Sequence, residues 1–187
     1  MVSIMTDLDD VLAVSVPAFF RWLSRELGTR ITVEDILDDD FEQRYDLSKE
    51  WVLKDAQKIF FRDEKQLELM PAYAGSLEGI DSKVVTGREE CVRDVTYHWL
   101  KKNFGFVGEL YLTGWDNDEK ARLTLADTPD IYLDDNAAIL GEIASRSDDI
   151  RLYLAARPWN RNKNVDETRI ERFDEFQDVL KSAGYLR

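Results

Sequence analysis

Four short stretches of the chain place chemically active groups where an apolar run ends. Residues 4–14 read IMTDLDDVLAV, so Asp7, Asp9 and Asp10 follow one apolar run and precede another. A buried carboxylate is costly unless it is paired, hydrogen-bonded or bound to metal, and neighbouring acids disfavour each other's charged form. The stretch calls for a cation. A second cluster, DIYLDDNA, sets Asp134 and Asp135 behind another apolar run. Oxygen ligands of this kind suit Mg²⁺, which keeps several waters and takes one or two carboxylates together with substrate phosphate. In VVTGRE, Thr86 offers a hydroxyl and Gly87 lets a ligand approach the backbone, while a helix starting just beyond attracts anions. Lys120, in NDEKARL, adds a positive charge, although taken alone it reads as a surface lysine.

The elements that must position these groups follow from periodicity and punctuation. Strands are expected at 2–7, 83–86, 109–113, 131–134 and 150–155, with helices near 90–103, 119–126, 137–145 and 166–183. Such alternation predicts a parallel sheet covered on both faces, and ligands bind such sheets beyond the carboxyl ends of the strands. Side chains alternate along a strand, so Asp7 and Asp9 share a side while Leu8 faces away. By the same reasoning only one of Asp134 and Asp135 reaches an ion directly, and the spacing leaves open which.

The segment from residue 8 to residue 82 is far longer than one crossover needs, so it must hold an inserted lobe. Phe19, Phe20, Leu23 and Leu27 lie at helical spacing ahead of Gly28, Thr32 with Asp35 resembles a helix start, and Ser48 precedes a run containing Trp51, Leu53, Ile59 and Phe60. The insertion is expected to be helical. Aromatic residues at such spacing are usually core, which assigns most of Phe19, Trp51, Phe60 and Phe61 to packing. His98, mid-helix beside Trp99, is expected to lie apart from any site, and Cys91 to be packed.

With 25 basic against 38 acidic residues the formal charge is −13, which repels phosphate backbones and argues against a dedicated nucleic-acid binder. One cysteine allows no internal disulfide. No apolar stretch approaches the roughly 20 residues of a membrane span, and the first residues carry no basic region followed by an apolar one, so no signal peptide is expected and a cytoplasmic protein is the default.

Jointly, the four stretches resemble the four motifs of the haloacid dehalogenase superfamily: Asp7 to Leu12, Thr86-Gly87-Arg88, Lys120, and Asp134-Asp135. The likeness spans residues 2 to about 160. Within that superfamily the chain is most similar to the 5'(3')-deoxyribonucleotidases, on the strength of Val11-Leu12-Ala13, the helical insertion, the segment FFRDEKQLELMPAYAGSLEGI and the RPWN of residues 157–160. Asp10 departs from the glycine common there. The resemblance implies an α/β fold, a Rossmann-like three-layer sandwich with a central parallel sheet. Residues 1–14 and 78–187 would form the catalytic core and residues 15–77 a small helical cap after the first strand.

It further implies a Mg²⁺-dependent phosphomonoesterase acting through an aspartyl-phosphate. Asp7 would be the nucleophile and Asp9 the acid and base, with Thr86 and Lys120 holding phosphoryl oxygens. Asp9, Asp10, Gly87 and Arg88 join the expected phosphate-binding set, Arg88 either by contact or by capping the site. Asp7, Asp9 through its backbone carbonyl, and Asp134 or Asp135 would hold the metal. The expected substrate is a nucleoside monophosphate rather than a nucleic-acid polymer, in a protein that meets no membrane and is compatible with a homodimer. The alternatives are a phosphatase for another small metabolite, such as a sugar phosphate, and a non-catalytic phosphate-binding relative.

Overall fold

Runs such as SIMT, DSKVVT and IYLD bury side chains on both faces, and a strand of that kind is stable only inside a sheet covered on both sides. The computed structural model describes residues 2–185 and shows such a sheet. Its six strands, β1 (Ser3–Thr6), β2 (Asp81–Thr86), β3 (Glu109–Leu112), β4 (Ile131–Asp134), β5 (Arg151–Ala155) and β6 (Ile170–Phe173), are all parallel in the order β3-β2-β1-β4-β5-β6.

The strand order reverses between β1 and β4, whose neighbouring carboxyl ends carry Asp7 and Asp134. Such a switch point is where open α/β sheets bind ligands. Asp7 N–H donates to Leu133 O at 2.8 Å, extending the ladder by one residue and fixing the first acid beside the end of β4.

Alternation divides the core in two. Met5, Val85, Tyr132 and Leu154 face α8 (Asn117–Asp127) and α9 (Ala137–Arg146), whereas Ile4, Val84, Leu133 and Tyr153 face α7 (Arg93–Phe104) and α10 (Phe176–Ser182). The second layer continues into the insertion through Phe19, Leu23, Phe41, Val52 and Phe60, so the insertion shares its hydrophobic cluster with the sheet.

The insertion between β1 and β2 is helical: α1 (Ser15–Leu27), α2 (Val33–Leu37), α3 (Phe41–Tyr45), α4 (Lys49–Trp51), a π-helical turn at Val52–Ala56, α5 (Gln57–Arg62) and α6 (Glu64–Glu68). Gly28 ends α1 in the left-handed region at φ 63°, which only glycine adopts without strain. Thr32 and Asp35 form a reciprocal capping box on α2, and Ser48 accepts from Trp51 N–H at the start of α4.

One expected element is corrected. The helix read at 166–183 is β6 followed by α10. Ile170 and Phe173 are buried in pairing with β5 while Glu171 is exposed, so edge pairing takes this stretch away from the helix. Cys91, expected to be packed, is exposed in a short 3₁₀ turn before α7. Among the described residues no helix is long and apolar enough to cross a membrane.

Candidate active site

Strand β1 delivers Asp7, β4 delivers Asp134 with Asp135 just beyond it, and the first turns of α8 bring Lys120 between them. Lys120 Nζ lies 2.9 Å from Asp7 Oδ1 and 2.9 Å from Asp134 Oδ2. The approach to Asp7 falls outside hydrogen-bond angles, so Asp7 Oδ1 is buried against a charge without a directed hydrogen bond. Asp7, Asp134 and Asp135 each present an oxygen within 4.8 Å of the others. Three carboxylates therefore face one ammonium group, which leaves negative charge to be offset.

The electrostatics follow from this crowding. Burial raises the Asp7 carboxyl well above the ordinary carboxylate range; Lys120 opposes the shift, and Asp134, Asp135 and Asp9 reinforce it. Burial, with Asp134 next, pushes Asp135 up to about 6 against Trp159 and Lys120. Burial disfavours the charged form of Lys120, yet Asp134 and Asp7 outweigh it and hold its pKa above the ordinary lysine value.

The oxygens available to a cation are unequal. Asp134 Oδ1 accepts from Asn136 N–H at 2.8 Å, and its Oδ2 takes both the Tyr132 hydroxyl and Lys120. Asp135 Oδ2 accepts from Trp159 Nε1 at 2.8 Å, whereas among the described residues nothing donates to its Oδ1. An open oxygen on Asp135, an orphaned oxygen on Asp7 and an all-oxygen donor set fit a hard divalent cation.

Asp9 shares the cavity with Asp7, but its carboxylate is clamped. Arg88 donates Nη2 to Asp9 Oδ1 at 2.7 Å and Nε to Oδ2 at 3.0 Å; Ser15 and Thr86 hydroxyls complete the shell. The Arg88 side chain is 1% exposed, its Nη1 donates to Thr96, and its guanidinium lies 5.6 Å from the Phe61 ring. Arg88 thus spends Nε and Nη2, and Thr86 its hydroxyl, on Asp9. Gly87 lines the cavity with backbone; an added Cβ there would meet nothing nearer than Trp115 at 3.8 Å, so neighbouring protein atoms do not require glycine.

The cavity has a volume of about 300 Å³ and is bounded by Phe61 of α5 and by Trp115, whose rings meet edge-on at 5.5 Å. Trp115 sits at φ 72°, and such backbone strain gathers at functional sites. Beside this contact Arg62 grips Glu89 with both Nε and Nη2, tying the insertion to the loop after β2.

No protein-family model matches the sequence, and no curated protein matches it significantly. Solved structures do match over the whole length. A candidate beta-phosphoglucomutase from Thermotoga maritima superposes with TM-score 0.58 at 15% identity, covering 100% of each chain. A haloacid dehalogenase-like protein of unknown function from Agrobacterium tumefaciens gives 0.56 at 14% identity over 97% of each chain. A HAD hydrolase of family IA, variant 3, from Entamoeba histolytica gives 0.54 at 11% identity over 99% of this chain and 98% of the other.

The chain has the haloacid dehalogenase-like fold.

Within that fold the structure gathers Asp7, Asp9, Gly87, Arg88, Lys120, Asp134 and Asp135 around one cavity, with Thr86 directly behind Asp9. Asp10 stands apart from them. Its backbone turns at φ 60°, its carboxylate accepts from the N–H groups of Ser15 and Val16, and its carbonyl accepts from Arg157 Nε at 2.7 Å. Burial raises the Asp10 carboxyl well above the ordinary range, with Asp135 next. The Asp10 carboxylate is bonded to the start of α1 and does not line the cavity.

Sequence reasoning missed Ser15, Trp115, Tyr132 and the Trp159 bond to Asp135, and Phe61, assigned to packing, is buried in the core and also lines the cavity. Trp115 could have been found, since it follows the carboxyl end of β3 at the same sheet edge as the four motifs. His98 is exposed on α7 and does not line the cavity.

Proposed function

We propose that this protein is a phosphomonoester hydrolase dependent on a divalent cation, Mg²⁺ by the chemistry of its ligands, with Asp7 as nucleophile and residues 15–77 as a cap over the site. The observation that carries the reading is Lys120 at 2.9 Å from both Asp7 and Asp134 at the switch point of the sheet.

A carboxylate oxygen of Asp7 forms the new bond to phosphorus as the bond to the leaving oxygen breaks. Asp9 donates a proton to the departing alkoxide and then accepts one from the water that cleaves the aspartyl-phosphate. For this Asp9 must leave the grip of Arg88, so an arriving phosphate exchanges places with Asp9 as the guanidinium's partner. Lys120 holds Asp7 close and favours its ionised form against the burial and neighbouring acids that raise its pKa. Asp7, Asp135 and the backbone carbonyl of Asp9 would hold the cation, and Asp134, with both oxygens already bonded, orients Lys120. When bound, the cation offsets the charge of carboxylate and phosphate.

Nucleoside monophosphates are the favoured substrate class, because the Phe61 and Trp115 rings give the cavity an aromatic rim on which a base can stack. A cavity of about 300 Å³ lies at the lower end for ligand sites, and this favours, as a second reading, a compact leaving group such as a sugar phosphate. Initial rates on a panel of nucleotides and sugar phosphates with Mg²⁺ rank the two; equal rates whatever the base would sink the nucleotidase reading. Asp7→Asn is expected to abolish phosphate release while leaving the circular dichroism spectrum unchanged, and retained turnover would remove Asp7 as nucleophile.

A further inference from the structure

A larger cavity, of about 520 Å³, opens between α1, the loop leading into α2, and the loop after β5. It shares no lining residue with the catalytic cavity. Its walls are aromatic and cationic: Phe20, Tyr73 and Trp159 with Arg21, Arg30 and Arg157, against Glu34 as the one acid. In a chain of net charge −13, three guanidinium groups around one concavity focus a local positive potential.

The arginines are also underused. Among the described residues Arg21 and Arg30 pair with no carboxylate. Arg157 is 6% exposed and stacked at 4.3 Å from the Tyr73 ring. Its Nε donates to Asp10 O and its Nη1 to Ala156 O and Asp174 O, but among the described residues its buried Nη2 has no partner. A buried donor without a partner is unfavourable, which leaves this guanidinium with charge and bonding capacity that the protein itself does not use.

From these observations we infer that this cavity is a second ligand site, built for a small aromatic anion: a flat ring against Phe20 and Trp159 whose phosphate, carboxylate or sulfonate is held by Arg21 and Arg30 beside Arg157. The pocket volume suits a ligand of that size. Trp159 connects the two cavities, because it lines this pocket while its Nε1 holds Asp135 at 2.8 Å. An occupant that shifts Trp159 therefore acts on the acid that keeps an open oxygen at the catalytic site.

The test is calorimetric titration with naphthalene-2-sulfonate, which contains no phosphate ester to hydrolyse, into the full chain, an Arg21→Ser/Arg30→Ser variant and Asp7→Asn. Arg21 and Arg30 are exposed, so the double variant is expected to fold, and circular dichroism checks that it does. Saturable one-to-one binding to the unaltered chain is expected, weakened about tenfold or more in the double variant and unchanged by Asp7→Asn. The neutral analogue 2-naphthalenemethanol should bind the chain and the double variant alike. Absence of saturable binding, equal sulfonate affinity in the double variant, or loss of binding in Asp7→Asn would each overturn the proposal; the last would place the anion in the catalytic cavity.

Discussion

Replacing Lys120 with methionine removes the ammonium group paired with Asp7 and Asp134 beside Asp135. The Lys120, Asp7 and Asp134 side chains are 5%, 7% and 0% exposed, so water cannot substitute for it. Breaking a buried ion pair by deleting one partner costs about 3–5 kcal/mol, and here two carboxylates lose a cation held at 2.9 Å. Protons limit that loss. An acid whose pKa is raised on folding contributes fully below its unfolded value and loses stability as pH rises through its folded value. Asp7 is raised well above its ordinary value, and Asp135 from 3.8 to about 6, even with Lys120 lowering both.

Without Lys120 both rise further, each additional pKa unit corresponding to about 1.4 kcal/mol. The metal-free variant should therefore be close to the unaltered protein at about pH 5 and less stable by about 3–5 kcal/mol at about pH 8. Urea unfolding followed by tryptophan fluorescence measures the gap at each pH, and Mg²⁺ added at the higher pH should narrow it by binding the folded state. A variant as stable as the parent throughout, or a loss that does not change with pH, would refute the reasoning.

Two other perturbations test neighbouring parts of the account. Arg88→Met leaves Asp9 without its bidentate partner and should cost about 3–5 kcal/mol in urea unfolding; Arg88→Lys should recover only part of it, since an ammonium group lacks the planar fork, and full recovery would argue against the clamp. Gly108→Ala places a Cβ 1.8 Å from the carbonyl oxygen of Ser82, so the start of β3 must move away from β2. That strain should cost about 3 kcal/mol, and an unchanged melting temperature would show that the two strands are not packed so closely.

The positions of the acids were legible in the sequence because each closes an apolar run, and a strand that delivers a side chain to the sheet's carboxyl edge leaves that pattern locally. The helix ends at Gly28, Thr32 and Ser48 within the insertion were legible for the same reason, since glycine termination and side-chain capping involve residues only a few positions apart. What was not legible depends on distant partners. Phe173 stands at helical spacing from Phe176 and Leu180, so TRIERF merged into the following helix, and only pairing with β5 makes it a strand. Phe60 and Phe61 are chemically identical neighbours and both pack in the core, yet only Phe61 also borders the cavity, where its ring meets Trp115. Asp10 was expected near phosphate only through the family resemblance, and its left-handed backbone and its bonds to the start of α1, both set by the folded chain, were not readable from its neighbours. Between Asp134 and Asp135, alternation alone could not decide; the hydrogen bonds from Tyr132, Asn136 and Trp159 leave the open oxygen on Asp135.

The most direct test of the central claim is mass spectrometry of the acid-quenched Asp9→Asn variant after brief exposure to p-nitrophenyl phosphate and Mg²⁺. This leaving group needs no protonation, so the covalent step should proceed while the water step, deprived of its base, stalls. The account predicts a phosphoryl group on the peptide that contains Asp7. A phosphoryl group on any other peptide, or none while phosphate is still released, would contradict it.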